Sequence, residues 1–181
     1  MNIDLQSMAM AMPAVAGHPN REAFRGVLTL VDVTSDRAPA GARGHRVVLT
    51  RAAAEAALAS LLGMALDYAP SLDRHDVRRK VGVITRADIV GRNLELGGHL
   101  FAKDFPEIVA EIGKNRGAGL DVAGSETRLY TGGLGMSYEI ADARVADTRA
   151  SVWTLTRVTF TGAAILRRDK AAYRETWIEL E

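Results

Sequence analysis

The sequence predicts an α+β, β-rich chain folded as an antiparallel β-barrel with helices packed outside. Three observations point there. Apolar and polar residues alternate in several short segments, the period of a half-buried strand. Glycine, proline and Asp/Asn punctuation separates those segments at short intervals. Only two or three stretches carry a helical pattern. Barrel closure is the economical way to leave so many strands without exposed edges.

The elements follow in chain order. Residues 1–21, "MNIDLQSMAMAMPAVAGHPNR", form a Met-rich arm ahead of the folded part, which is expected to span 22–181. "EAFRGVLTLVDVT" (Glu22–Thr34) is the first strand, rich in Val, Leu and Thr. "SDRAPAGARGH" is a loop broken by Pro39, Gly41 and Gly44, and "RVVLT" is a short strand. Thr50 is a suitable N-cap for the Ala/Leu-rich helix "RAAAEAALASLLG", which stops at Gly63. "MALDYA" is a short extended piece. "RKVGVITRADIVGRNLELGGHLFAKD" is a hairpin turning at Gly91–Arg92–Asn93, with Val81, Val83, Ala87 and Ile89 alternating on its first arm. Asp104 and Glu107 could cap a helix striped by Ile108, Val109 and Ile112. A glycine-rich stretch to Gly135 predicts a mobile loop over Gly117–Gly133. "GLGMSYEI" follows, then a turn near Asp142, a strand around "SVWTLTRVTF", and a short helix from Asp169.

Composition excludes several functions. The chain has 181 residues, 25% of them charged, and a net charge of +1, which argues against bulk nucleic acid as partner. Cysteine is absent, removing disulfides, thiolate zinc sites and cysteine nucleophiles together. No run approaches the ~20 apolar residues of a spanning helix, so no membrane role is expected. The N-terminus lacks a basic region and carries Asp4, unlike a signal peptide. No cofactor motif is found.

In "GLGMSYEI", Leu134, Met136, Tyr138 and Ile140 share one side of the strand, and Ser137 and Glu139 the other. Ser137 is thus a solvated strand position or a presented nucleophile. A serine hydroxyl attacks only with a base in reach, an orienting partner for that base, and N–H donors for the oxyanion. The chain has four histidines. His18 lies in the arm and His45 in a loop. His99 follows Gly97–Gly98, and His75 sits just before a strand, flanked by Asp73 and Asp76, which could raise its basicity. Asp73, His75 and Asp76 match no established metal-ligand spacing.

Four segments, in order, carry a resemblance: "HDVRRKVGVI" (His75–Ile84), "LELGGHLF" (Leu94–Phe101), "GLGMSYEI", and "VWTLTRVTFTGAAIL" (Val152–Leu166). Together they resemble the prohead proteases of tailed phages, the HK97-like capsid maturation proteases related in fold to herpesvirus assemblins. The resemblance covers about residues 22–170. The family's histidine precedes a strand with a turn like Lys80–Val81–Gly82, and its serine lies in a strand like Gly135–Met136–Ser137–Tyr138.

The resemblance implies an assemblin-like barrel, Ser137 as nucleophile and His75 as general base. It implies a serine endopeptidase that processes the scaffold or major capsid protein, and possibly itself, inside the procapsid in the host cytoplasm. Self-association in that shell is also implied. Two departures stand out. Tyr138 and Glu139 follow the serine where the family has small residues. Arg157 occupies the place of a glutamate that supplies the acid in parts of the family. Glu139, two residues from Ser137, is the preferred third member; Asp76 and His99 are the alternatives. Gly132–Gly135 is the expected source of oxyanion donors. An inactive protease-fold assembly protein, and a head-associated structural protein that docks through its arm, are the competing readings.

Overall fold

The computed structural model describes residues 17–114, 119–121, 128–130 and 133–181. The expected arm falls almost wholly outside them, as does most of the expected Gly117–Gly133 loop. Ten strands and two α-helices are described: β1 (Glu22–Leu30), β2 (Arg46–Leu49), α1 (Arg51–Ala57), β3 (Ala65–Asp67), β4 (Lys80–Val90), β5 (Asn93–Leu100), α2 (Pro106–Lys114), β6 (Gly119–Asp121), β7 (Arg128–Tyr130), β8 (Leu134–Val145), β9 (Val152–Arg167) and β10 (Trp177–Leu180).

Eight strands form one sheet in the order β10-β1-β5-β4-β3-β9-β2, with β8 paired to β9; β6 and β7 make a separate pair. Isolated bridges from Val31 to Leu49 and from Thr34 to Val48 tie the chain leaving β1 to β2, and the sheet curls over its core. Phe24, Leu28, Leu66, Val81, Ile84, Leu100, Ile108, Ile112 and Phe160 are almost wholly buried there. Each such side chain contributes about 1.5–3 kcal/mol by leaving water. No helix among the described residues is long and apolar enough to cross a membrane.

The sheet is mixed, which corrects the expectation of an antiparallel one. β2 and β3 both run parallel to β9. The cause is α1, capped as expected by Thr50, whose hydroxyl accepts from Ala53 N. The helix and the 3-10 turn Leu58–Leu61 carry the chain along one edge of β9. Leu49 pairs with Leu155 before them, and Leu66 with Ala163 after them. Between these pairs the β9 edge is satisfied locally. Thr50 N donates to Leu155 O at 3.2 Å, and Phe160 N donates to Ser60 Oγ at 2.9 Å.

Other expectations are corrected in detail. The β4/β5 hairpin forms, but its register slips between Ile84 and Arg86. Ile84 is therefore fully buried and Val83 only partly so. α2 begins at Pro106, two residues after Asp104; Asp104 accepts from Asn20, and Glu107 accepts from the Tyr68 hydroxyl. The turn expected at Asp142 is a bulge. Asp142 takes a φ of 51°, the register slips between Ala141 and Arg144, and β8 continues to Val145. No helix starts at Asp169: β9 runs on to Arg167, and residues 168–176 are turns. Tyr173 holds these turns, its hydroxyl donating to the carbonyls of Val33 and Val47 at 3.2 Å. Burial pushes the Tyr173 phenol up to about 12, which keeps it a neutral donor.

Candidate functional site

Ser137 stands on β8 directly opposite Ala164 of β9, and Ala164 faces Asp67 of β3 on its other side. Cross-strand partners share a face, so Ser137 and Asp67 flank Ala164 on one side of the sheet. Glu139 joins them there, paired with Gly162. Tyr138 points to the other face, into the core, where its ring meets Phe160 edge-on at 5.8 Å. The alternation read in the sequence places the serine and the glutamate together.

His75 comes from the loop between β3 and β4, and two backbone contacts set that loop. Arg167 N donates to Leu72 O at 2.7 Å, and Asp76 N donates to Asp67 Oδ1 at 3.0 Å. His75 Nδ1 then lies 3.1 Å from Glu139 Oε1 and 4.0 Å from Asp67 Oδ1. The approach to Glu139 is close but oblique: Nδ1 is buried and makes no aligned hydrogen bond. Asp67 has a fully buried side chain, with Lys80 Nζ at 3.5 Å from its Oδ2.

Gly162 makes this convergence possible. A Cβ there would lie 2.9 Å from Glu139 Oε2 and 3.2 Å from Ala65 O. The carboxylate reaches toward His75 through the space that a side chain at 162 would fill. Gly162 and Asp67 are the site residues that the sequence reading missed. Only a contact across three strands distinguishes them from an ordinary strand glycine and a buried aspartate.

Ser137, Glu139 and His75 line one cleft of about 730 Å³. Asp73, Arg74 and Lys170 contribute polar lining, and Val47, Ile140, Trp153 and Leu155 line its apolar part. His99 does not line this cleft. It pairs with Ala23 and Val83 within the sheet and meets the Phe101 ring at 5.8 Å. His45 stacks on Trp153 at 4.5 Å, and His18 Nδ1 accepts from Asn20 N.

The flanking aspartates do not serve His75 as expected. Asp73 accepts from the Ser71 hydroxyl, which holds its carboxyl below the usual range. Asp76 accepts from Arg78 N and lies 3.6 Å from the Arg79 guanidinium. The carboxylates facing the imidazole are Glu139 and Asp67. Arg157 is exposed on β9 opposite Arg144, seven positions along the strand from Ala164. At about 3.3 Å per residue that is roughly 20 Å from the serine's partner. Gly132 lies outside the described residues, Gly135 is buried against Thr176, and Met136 N already donates to Thr176 Oγ1 at 3.1 Å. No protein-family model matches the chain, and no curated protein matches it.

Proposed function

We propose that the chain is a serine endopeptidase of the capsid-maturation type, with Ser137 as nucleophile, His75 as general base and Glu139 as the acid. One observation carries the reading: Glu139 Oε1 lies 3.1 Å from His75 Nδ1, in the cleft that Ser137 lines. With Nδ1 turned to a carboxylate, Nε2 is the nitrogen left to take a proton. Ser137 Oγ attacks the scissile carbonyl as its proton passes to His75 Nε2. The same proton then goes to the departing amine, and water hydrolyses the acyl-enzyme by the reverse relay. Glu139 stabilises the imidazolium that forms at each step. The curled sheet with its outer helices suits the assemblin-like barrel that the sequence resemblance implies.

The substrates on this reading are the scaffold and major capsid proteins, cut inside the assembling procapsid, where copies of the chain gather. The test co-expresses the chain with its capsid protein. Wild type should yield processed capsid protein, and Ser137→Ala should yield none while keeping its thermal transition. A fluorophosphonate probe should label wild type at Ser137 and leave His75→Ala unlabelled. Unchanged processing by Ser137→Ala, or no labelling of the wild type, rejects the peptidase and favours the assembly-protein reading.

A further inference from the structure

The Asp67–His75–Glu139 cluster has a second chemistry. One ligand atom from each residue lies within 4.8 Å of the other two. One nitrogen and two carboxylate oxygens at that spacing are donors for a transition-metal dication, zinc above all. His75 supplies the second, independent sign. Its Nδ1 is buried, faces both carboxylates, and makes no aligned hydrogen bond. A buried ring nitrogen that faces two carboxylates yet is aligned with neither is uncommon and calls for an explanation. Asp67 Oδ1 accepts from Asp76 N and faces His75, Oδ2 faces Lys80, and each carboxylate oxygen keeps a further lone pair for a cation. The 25% and 23% side-chain exposure of His75 and Glu139 leaves an entry path from the cleft.

We propose that these three residues form a divalent-cation site that switches the peptidase off when filled. The switching part rests on the peptidase reading; the binding part does not. The two roles exclude each other at one atom. To bind a metal, Nδ1 must offer its lone pair, so the neutral ring carries its proton on Nε2. A ring protonated at Nε2 cannot take the proton of Ser137. The metal also draws Glu139 away from its place beside the imidazole. Occupancy therefore removes the base and its orienting acid in one step, and chelation restores both. Lys80 sets the affinity, because its ammonium competes with the metal for Asp67.

The test titrates zinc into the full chain by calorimetry, with the thermal transition as a second readout. Wild type and Ser137→Ala should bind one ion with equal affinity and gain thermal stability from it. His75→Gln and Glu139→Gln should each weaken binding by more than about 100-fold, beyond the ~10–100-fold that loss of an outer-shell partner costs. Lys80→Met should tighten it. Zinc should also block fluorophosphonate labelling of Ser137, and EDTA should restore it. Wild-type affinity in both Gln variants, or no saturable zinc binding to the wild type, overturns the site. Binding lost in both Gln variants while labelling stays insensitive to zinc overturns the switch. If the wild type binds zinc at these residues but is never labelled, the peptidase reading fails and the metal site stands.

Discussion

Glu139 and Gly162 are cross-strand partners, and the missing side chain of Gly162 gives the Glu139 carboxylate its path toward His75. Gly162→Ala should therefore act on the site rather than on the fold. A methyl group 2.9 Å from Oε2 and 3.2 Å from Ala65 O displaces the end of a flexible, partly exposed side chain and the backbone of Ala65 only slightly. Misplacement by about 1 Å can cost on the order of 10²-fold in rate. On the proposed peptidase reading, the expected result is a fall in kcat of that order with KM and the thermal transition little changed, measured on a peptide spanning the capsid processing site.

On the peptidase reading, Arg157 separates two versions of the proposed triad. If the acid came from its position, as in parts of the resembled family, Arg157→Glu would raise activity. In the structure Arg157 faces Arg144, far along β9 from Ala164. Arg157→Glu and Arg157→Ala should both leave kcat/KM at the wild-type value, with stability within ~0.5 kcal/mol of it. Glu139→Gln should lower kcat, but by less than Ser137→Ala or His75→Ala. The Ser137→Ala/Glu139→Gln double variant should be no slower than Ser137→Ala alone, because residues acting as one unit are not additive.

Thr176 braces the strand that presents the serine. Its buried hydroxyl accepts from Met136 N at 3.1 Å and donates to Tyr173 O at 2.8 Å. Thr176→Val keeps the shape and leaves the buried Met136 N–H without its partner, while Tyr173 O keeps only the longer bond from Thr176 N at 3.4 Å. The expected cost is about 1–3 kcal/mol in chemical denaturation. Met136 adjoins Ser137, so the rate should fall as well. Thr176→Ser, which keeps the hydroxyl, should recover most of both losses.

His99 should make the fold sensitive to mild acid. Burial, followed by the nearby charges of Arg21 and His18, holds its imidazole below the ordinary value of 6.5. The unfolded chain therefore takes up the proton more readily than the folded one. The contribution to stability is fully present above 6.5 and is lost as pH falls from there through the lowered folded value. Thermal unfolding across that window should show a falling transition temperature, and His99→Gln should flatten the slope.

Local patterns were legible wherever one period and one boundary residue decided the outcome. Alternation placed Ser137 and Glu139 on one face and Tyr138 on the other, and Thr50 announced α1. Gly91 announced the β4/β5 turn. Each of these depends on residues a few positions apart, so short-range sterics and hydrogen bonding suffice. Tertiary structure decided what needs distant partners. It made the sheet mixed, by carrying α1 along the edge of β9, and turned the Asp142 turn into a bulge because β9 continues to pair beyond it. It added Asp67 to Glu139 beside His75 and turned Asp73 and Asp76 to other partners, because a loop's side-chain directions follow what the loop is pinned to. Here the pins are Arg167 and Asp67, which no local period reveals. The gap above Gly162 is of the same kind: a glycine becomes a passage only when the strand beside it brings a carboxylate to cross.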